Sequence, residues 1–207
     1  MLSSVEMMVK IATDRGVKIS ELMIEEEMRS SGKSREEIVS KMQKSLDVMK
    51  SAVKEGIAGV TSTSGMTGGD AKKIHEYIEN GKFITDTTLL KAVCYAVATN
   101  EVNASMGVIC ATPTAGSSGI LPGVMIAIQE KYAFEDDSIV EAMFTAGAFG
   151  YVIANNASIS GAAGGCQAEI GSASSMTAGA LTELMGGTPR QAANAMAMAM
   201  KNMLGLA

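Results

Sequence analysis

From Val102 to Gln129 the chain carries no lysine, arginine, aspartate or glutamate, and the same is true from Ala142 to Ala168. An uncharged stretch of that length belongs inside a protein or inside a membrane. Both stretches are broken by Pro, Asn, Gln, Ser or Gly clusters, and neither has an unbroken apolar run. Burial within a protein is therefore expected, with no membrane insertion. The charges crowd instead into Met1–Lys91. The expected organisation is a single domain over 1–207, with a charged helical front (1–100) and an apolar, small-residue half (101–207).

The charge balance, 17 basic against 22 acidic residues, excludes the basic footprint that nucleic acid demands. Three cysteines with no close pair do not make a disulfide framework, and reduced thiols fit a reducing compartment. With no basic, signal-type start, the expected location is the cytoplasm.

Helical signals recur along the chain, and no β-rich region stands out, so an all-α fold is expected. The first two helices are placed at Ser4–Asp14, ending before Gly16, and at Ser20–Arg29. Ser34-Arg35-Glu36-Glu37 has the form of a capping box. It opens a helix over Arg35–Glu55, stopped at Gly56, with Ile38, Met42, Leu46, Met49 and Val53 on one face. Asp70 is expected to cap Ala71–Asn80, and Asp86 a helix to about Asn100 with Leu89, Leu90, Val93, Cys94 and Val97 as its apolar stripe. Further helices are expected from near Pro122, over Ile139–Ile153 behind Asp137 or Ser138, over Gln167–Met185, and over Arg190–Leu204 behind Thr188-Pro189.

Three glycine-rich loops punctuate these helices: Thr61–Asp70, Thr112–Gly119 and Gly161–Gly171. Hydroxyls and backbone amides suit a small anion such as an amino-acid carboxylate, and the amides opening the helix after Asp70 can hold one. The first loop lacks the Gly-Lys-Ser/Thr ending of a Walker A sequence. His75, the one histidine, reads as solvent-facing, and there is no Ser-His-Asp set. Cys94 and Cys110 read as core thiols. Cys166, among glycines, is the thiol expected to meet something inorganic.

In this order, Ser64-Gly65-Met66-Thr67-Gly68-Gly69, Thr112-Pro113-Thr114-Ala115-Gly116-Ser117-Ser118-Gly119-Ile120-Leu121-Pro122 and Gly164-Gly165-Cys166-Gln167-Ala168-Glu169-Ile170-Gly171 resemble the α chain of the iron–sulfur L-serine dehydratases. The resemblance covers nearly the whole chain. It implies a lyase that converts L-serine to pyruvate and ammonia with a [4Fe–4S] cluster. Three cysteines would hold that cluster, leaving one iron open as a Lewis acid toward the substrate hydroxyl. By match, Cys166 is one ligand. Ser64, Gly65, Thr67, Gly68 and Gly69 of the first loop, with Thr112, Thr114, Gly116, Ser117 and Ser118 of the second, would bind the serine carboxylate and amine. The general base is not assigned to a residue. A separate β chain is implied as partner.

One departure stands out. The family continues past a Leu-Gly-Leu-like segment into a Cys-Asp-Pro stretch with two more cysteines, whereas here Leu204-Gly205-Leu206-Ala207 is the end. Cys94 and Cys110 do not occupy the ligand motifs. The expectation is a C-terminally incomplete chain, cluster-free and inactive alone, with exposed apolar surface favouring homo-oligomers. The alternative is a non-catalytic module in which the same loops bind a small anion or amino acid.

Overall fold

A computed structural model describes residues 3–204. The Leu204–Ala207 end, from residue 205 on, lies outside the described residues. Within them ten helices form: α1 (Val5–Arg15), α2 (Ile19–Ser31), α3 (Arg35–Ala58), α4 (Asp70–Glu79), α5 (Thr87–Ala104), α6 (Ile120–Tyr132), α7 (Asp136–Asn156), α8 (Gly161–Gly164), α9 (Cys166–Leu184) and α10 (Pro189–Leu204). The only β pairing among the described residues is an isolated bridge between Thr61 and Gly68. The all-α expectation is met. No helix among the described residues is long and apolar enough to cross a membrane.

Many helix ends follow local rules. Ser4 accepts from the Met7 amide and Asp86 from the Thr88 amide. Both capping boxes close: Ser34 with Glu37 opens α3, and Thr188 with Gln191 opens α10. Two ends depart from expectation. Asp70 does not cap α4; it is that helix's first residue, and its carboxylate pairs with Lys73 instead. Gly161–Gly171 is not a loop but two helices, α8 and α9, separated by Gly165 at φ 82° and ψ 165°.

The chain divides into two compact units, one made of the residues up to 44 with those from 136 onward, the other of residues 45–135. In the first, α9 packs on α7 and α10, and α2 on α7. Phe149, Ile139, Val140, Ile19 and Ile24 are buried there. Small residues let these helices approach closely. A Cβ on Gly179 of α9 would lie 2.3 Å from the Phe149 ring, so that ring occupies the missing side chain's place.

In the second unit, α5 packs on α4 and α6. Helix α3 runs through Gly56, which the sequence suggested as its stop; the glycine serves packing instead, since a Cβ there would strike the Ala98 carbonyl oxygen at 2.4 Å. Cβ atoms on Gly119 and Gly123 would strike the Ala96 and Ala92 carbonyl oxygens at 2.3 and 2.7 Å. These close approaches turn the alanine face of α5 inward. Cys94, Tyr95, Ala98, Thr99 and Val102 are therefore buried, whereas Leu89 and Val93, assigned to the apolar stripe, are exposed.

The uncharged stretch Val102–Gln129 divides into the end of α5, the second loop and the apolar helix α6. Three of its polar residues, Thr112, Ser117 and Ser118, are buried.

Candidate functional site

Within residues 45–135 the first loop is a hairpin-like turn. Ser62 N–H donates to the Thr67 carbonyl and Gly65 N–H to the Ser62 carbonyl, both at 2.8 Å. The Ser62 hydroxyl accepts from the Thr67 amide at 3.1 Å and lies 3.2 Å from the Ser64 hydroxyl. Gly68, at φ 138°, has the Val60 carbonyl oxygen 2.2 Å from where a Cβ would stand, so no other residue fits. Ser64, Gly65 and Thr67 face solvent, and Gly68 and Gly69 are half-buried.

At the loop's exit the structure corrects one expectation directly. The opening amides of α4 do hold a carboxylate, but it is the chain's own. Glu101, 3% exposed, accepts from Asp70 N–H at 2.7 Å and from Ala71 N–H at 3.3 Å. It replaces the side-chain cap that Gly69 cannot give.

The second loop is more enclosed. Ser117 is fully buried and its hydroxyl donates to the Thr112 carbonyl at 3.2 Å and lies 3.0 Å from the Thr114 hydroxyl. Thr114 is half-buried and Gly116 exposed. Asn103, two residues after Glu101, donates its side-chain N–H to the Ala115 carbonyl at 3.3 Å. The hydroxyls of Thr112 and Ser118 are buried without any hydrogen-bond partner. Ser118 is fully enclosed and Thr112 only 9% exposed. A buried hydroxyl left unpaired costs about 1–3 kcal/mol, so two in one loop call for a physical reason.

The three cysteines stand in different surroundings. Cys94 is fully buried, donates to the Ala71 carbonyl at 3.4 Å, and has its pKa pushed up to about 11 by burial, with the nearby Glu101 charge adding to it. Burial also raises the Cys110 thiol, which is half-buried, against a lowering hydrogen bond from Ser45. Cys166 is exposed and is the first residue of α9, in the other unit. Among the described residues no three His, Cys, Asp or Glu side chains gather as a metal site. Cys166 is thus the exposed thiol of the three, while Cys94 is buried and Cys110 half-buried. His75 is half-buried on α4.

Sequence reasoning missed Glu101 and its counterpart Glu183, although a signal was present. Glu101 is the only charge between Lys91 and Glu130, and Glu183 the only one between Glu169 and Arg190. A lone charge in an uncharged run must be partnered inside the protein. Glu183, 5% exposed, caps α2 by accepting from Ile19 N–H at 2.7 Å and Ser20 N–H at 3.1 Å, and it also accepts from the Thr145 hydroxyl.

The described residues form two all-helical units, one of which carries both partly buried glycine-hydroxyl loops. Comparison with known proteins supplies the class. Residues 14–207 match the family described as serine dehydratase alpha chain, and the chain belongs to that family. It is 53% identical over 206 residues to a probable L-serine dehydratase, alpha chain, of Bacillus subtilis, covering all of this chain and 69% of that protein. It is 43% identical over 207 residues to the L-serine dehydratase, alpha chain, of Peptoniphilus asaccharolyticus, of which it spans 71%. An L-serine dehydratase of Streptomyces coelicolor shares 34% identity over 206 residues, 44% of its length.

Proposed function

We propose that this chain is the catalytic α chain of an L-serine dehydratase, acting with a separate β chain to convert L-serine to pyruvate and ammonia. The names of its relatives support the substrate and the partner. The observation that carries the assignment to these loops is the pair of unpartnered hydroxyls, Thr112 Oγ1 and Ser118 Oγ. An unpartnered buried hydroxyl needs a reason, and a bound ligand would supply one for two such groups in a single loop; Ser175, also unpartnered, stands alone in the other unit. A zwitterionic amino acid with its own hydroxyl offers complementary groups.

In this reading the two loops hold the carboxylate and amine of serine. Loss of the α-proton and the β-hydroxyl then releases water and leaves aminoacrylate. That product tautomerises to the imine, and water hydrolyses it to pyruvate and ammonia without further help. Cys166 is proposed as one ligand of a [4Fe–4S] cluster that would supply Lewis acidity at the substrate hydroxyl. Cys94 and Cys110 lie in the other unit and are not assigned to that cluster. Reduced thiols fit a cytoplasmic enzyme.

The test separates function from stability. In the enzyme assembled from the full-length α chain and the β chain, Ser118→Ala and Thr112→Val should lower kcat/KM for serine by on the order of tenfold each. Because neither hydroxyl has a partner to lose, the melting temperature should hold or rise slightly. Variants that melt lower while using serine normally would contradict the assignment.

A further inference from the structure

The C-terminal end of α5 holds both loops. Glu101 takes the two amides where the first loop enters α4, and Asn103 takes the Ala115 carbonyl of the second loop. Asn100 lies beside the second loop's exit, its Oδ1 3.1 Å from where a Cβ on Gly119 would stand. We propose that Glu101 is a positioning residue for the substrate, fixing the first loop to the helix end that also carries the second. The proposal rests on the reading of these two loops as the serine site.

Stability alone does not require this arrangement. A serine, threonine or aspartate at position 69 would cap α4 locally. Position 69 is instead a glycine at φ 82°, a left-handed conformation in which it offers no side chain. The cap comes from residue 101, at the cost of burying a carboxylate. The outcome is a first loop whose exit is tied to α5 rather than to its own helix. Filling those amides has a second consequence. It occupies amides that would otherwise compete for an anion, because bare amides at a helix start attract carboxylates. The substrate carboxylate is thereby left to the loop hydroxyls and amides.

The experiment compares Glu101→Gln with Glu183→Gln in the assembled full-length enzyme. Both lose half of a buried carboxylate cap, but Glu183 caps α2 and touches neither loop. Glu101→Gln should raise KM for serine by on the order of tenfold with kcat within about threefold, the pattern of lost ground-state binding. Glu183→Gln should lower the melting temperature with KM unchanged. A merely structural Glu101 would reduce the fraction of active enzyme at unchanged KM, and that result would overturn the proposal. So would an equal KM rise in both variants.

Amide hydrogen exchange is read in parallel. Glu101→Gln should speed exchange at Thr67, Asp70 and Ala71, whereas unchanged exchange would overturn the positioning role whatever the enzyme does. If the unsubstituted assembly makes no pyruvate, the serine reading fails separately, and exchange alone decides whether Glu101 positions the loop.

Discussion

Replacing Glu183 by glutamine keeps the side chain's shape and changes only which atoms accept hydrogen bonds. The carboxylate faces three donors: Ile19 N–H on one oxygen, and Ser20 N–H with the Thr145 hydroxyl on the other. A glutamine has one acceptor oxygen. Whichever way its amide is turned, an NH2 group faces either the Ile19 or the Ser20 amide. The threonine hydroxyl can rotate and accept, but a backbone N–H cannot. One buried donor is therefore orphaned, at about 1–3 kcal/mol. Alanine orphans both amides and leaves a void where the stem stood, for about 3–5 kcal/mol. Urea unfolding followed by circular dichroism should show midpoints in the order wild type, Gln, Ala at constant m-value. In a chain of this size the glutamine variant should melt about 2–10 °C lower. A glutamine variant within about 0.5 kcal/mol of wild type would refute the reasoning, because it would mean that the α2 amides do not depend on this carboxylate.

Three further outcomes follow from the structure. Gly179→Ala places a methyl 2.3 Å from the Phe149 ring, so it should cost about 1–3 kcal/mol in urea unfolding as the buried ring is forced aside. The Arg35 guanidinium, hydrogen-bonded to Glu21 at 2.7 Å on both oxygens, holds that carboxyl below the usual glutamate range. The pair's stabilisation is therefore present above the unfolded value of about 4.3 and is lost as the pH falls through the lower folded value. Arg35→Met should thus cost about 0.2–1 kcal/mol at neutral pH, and the difference from wild type should vanish in acid melts. A thiol-specific alkylating reagent at pH 8 should modify Cys166 quickly and Cys110 more slowly, with Cys94 reacting only on unfolding. Mass spectrometry of the labelled peptides reads that order.

Most helices were legible because their signals are local. Ser34 with Glu37 and Thr188 with Gln191 are contained within four residues, and the structure closes both boxes. Caps supplied from a distance were not legible. Asp70 looked like the cap of α4 because capping residues usually stand beside their helix, yet the carboxylate comes from α5. Hydrophobicity also misled on α5. Helices brought close by glycine bury alanines, so Leu89 and Val93 were left outside. At the second loop, Thr112, Ser117 and Ser118 could be named from composition, but not the difference among them. Only coordinates separate the partnered hydroxyl of Ser117 from the unpartnered ones of Thr112 and Ser118. Cys166 stood out among its glycines, while the turn into α9 that presents it rests on the left-handed φ of Gly165.

The central claim is that these loops serve serine deamination. Its most direct test is the initial rate of pyruvate formation when L-serine is added, without oxygen, to iron- and sulfide-reconstituted enzyme assembled from the full-length α chain and its β chain. The account predicts serine-dependent pyruvate with an equal amount of ammonia. A folded, iron-loaded assembly that leaves serine unchanged would contradict it.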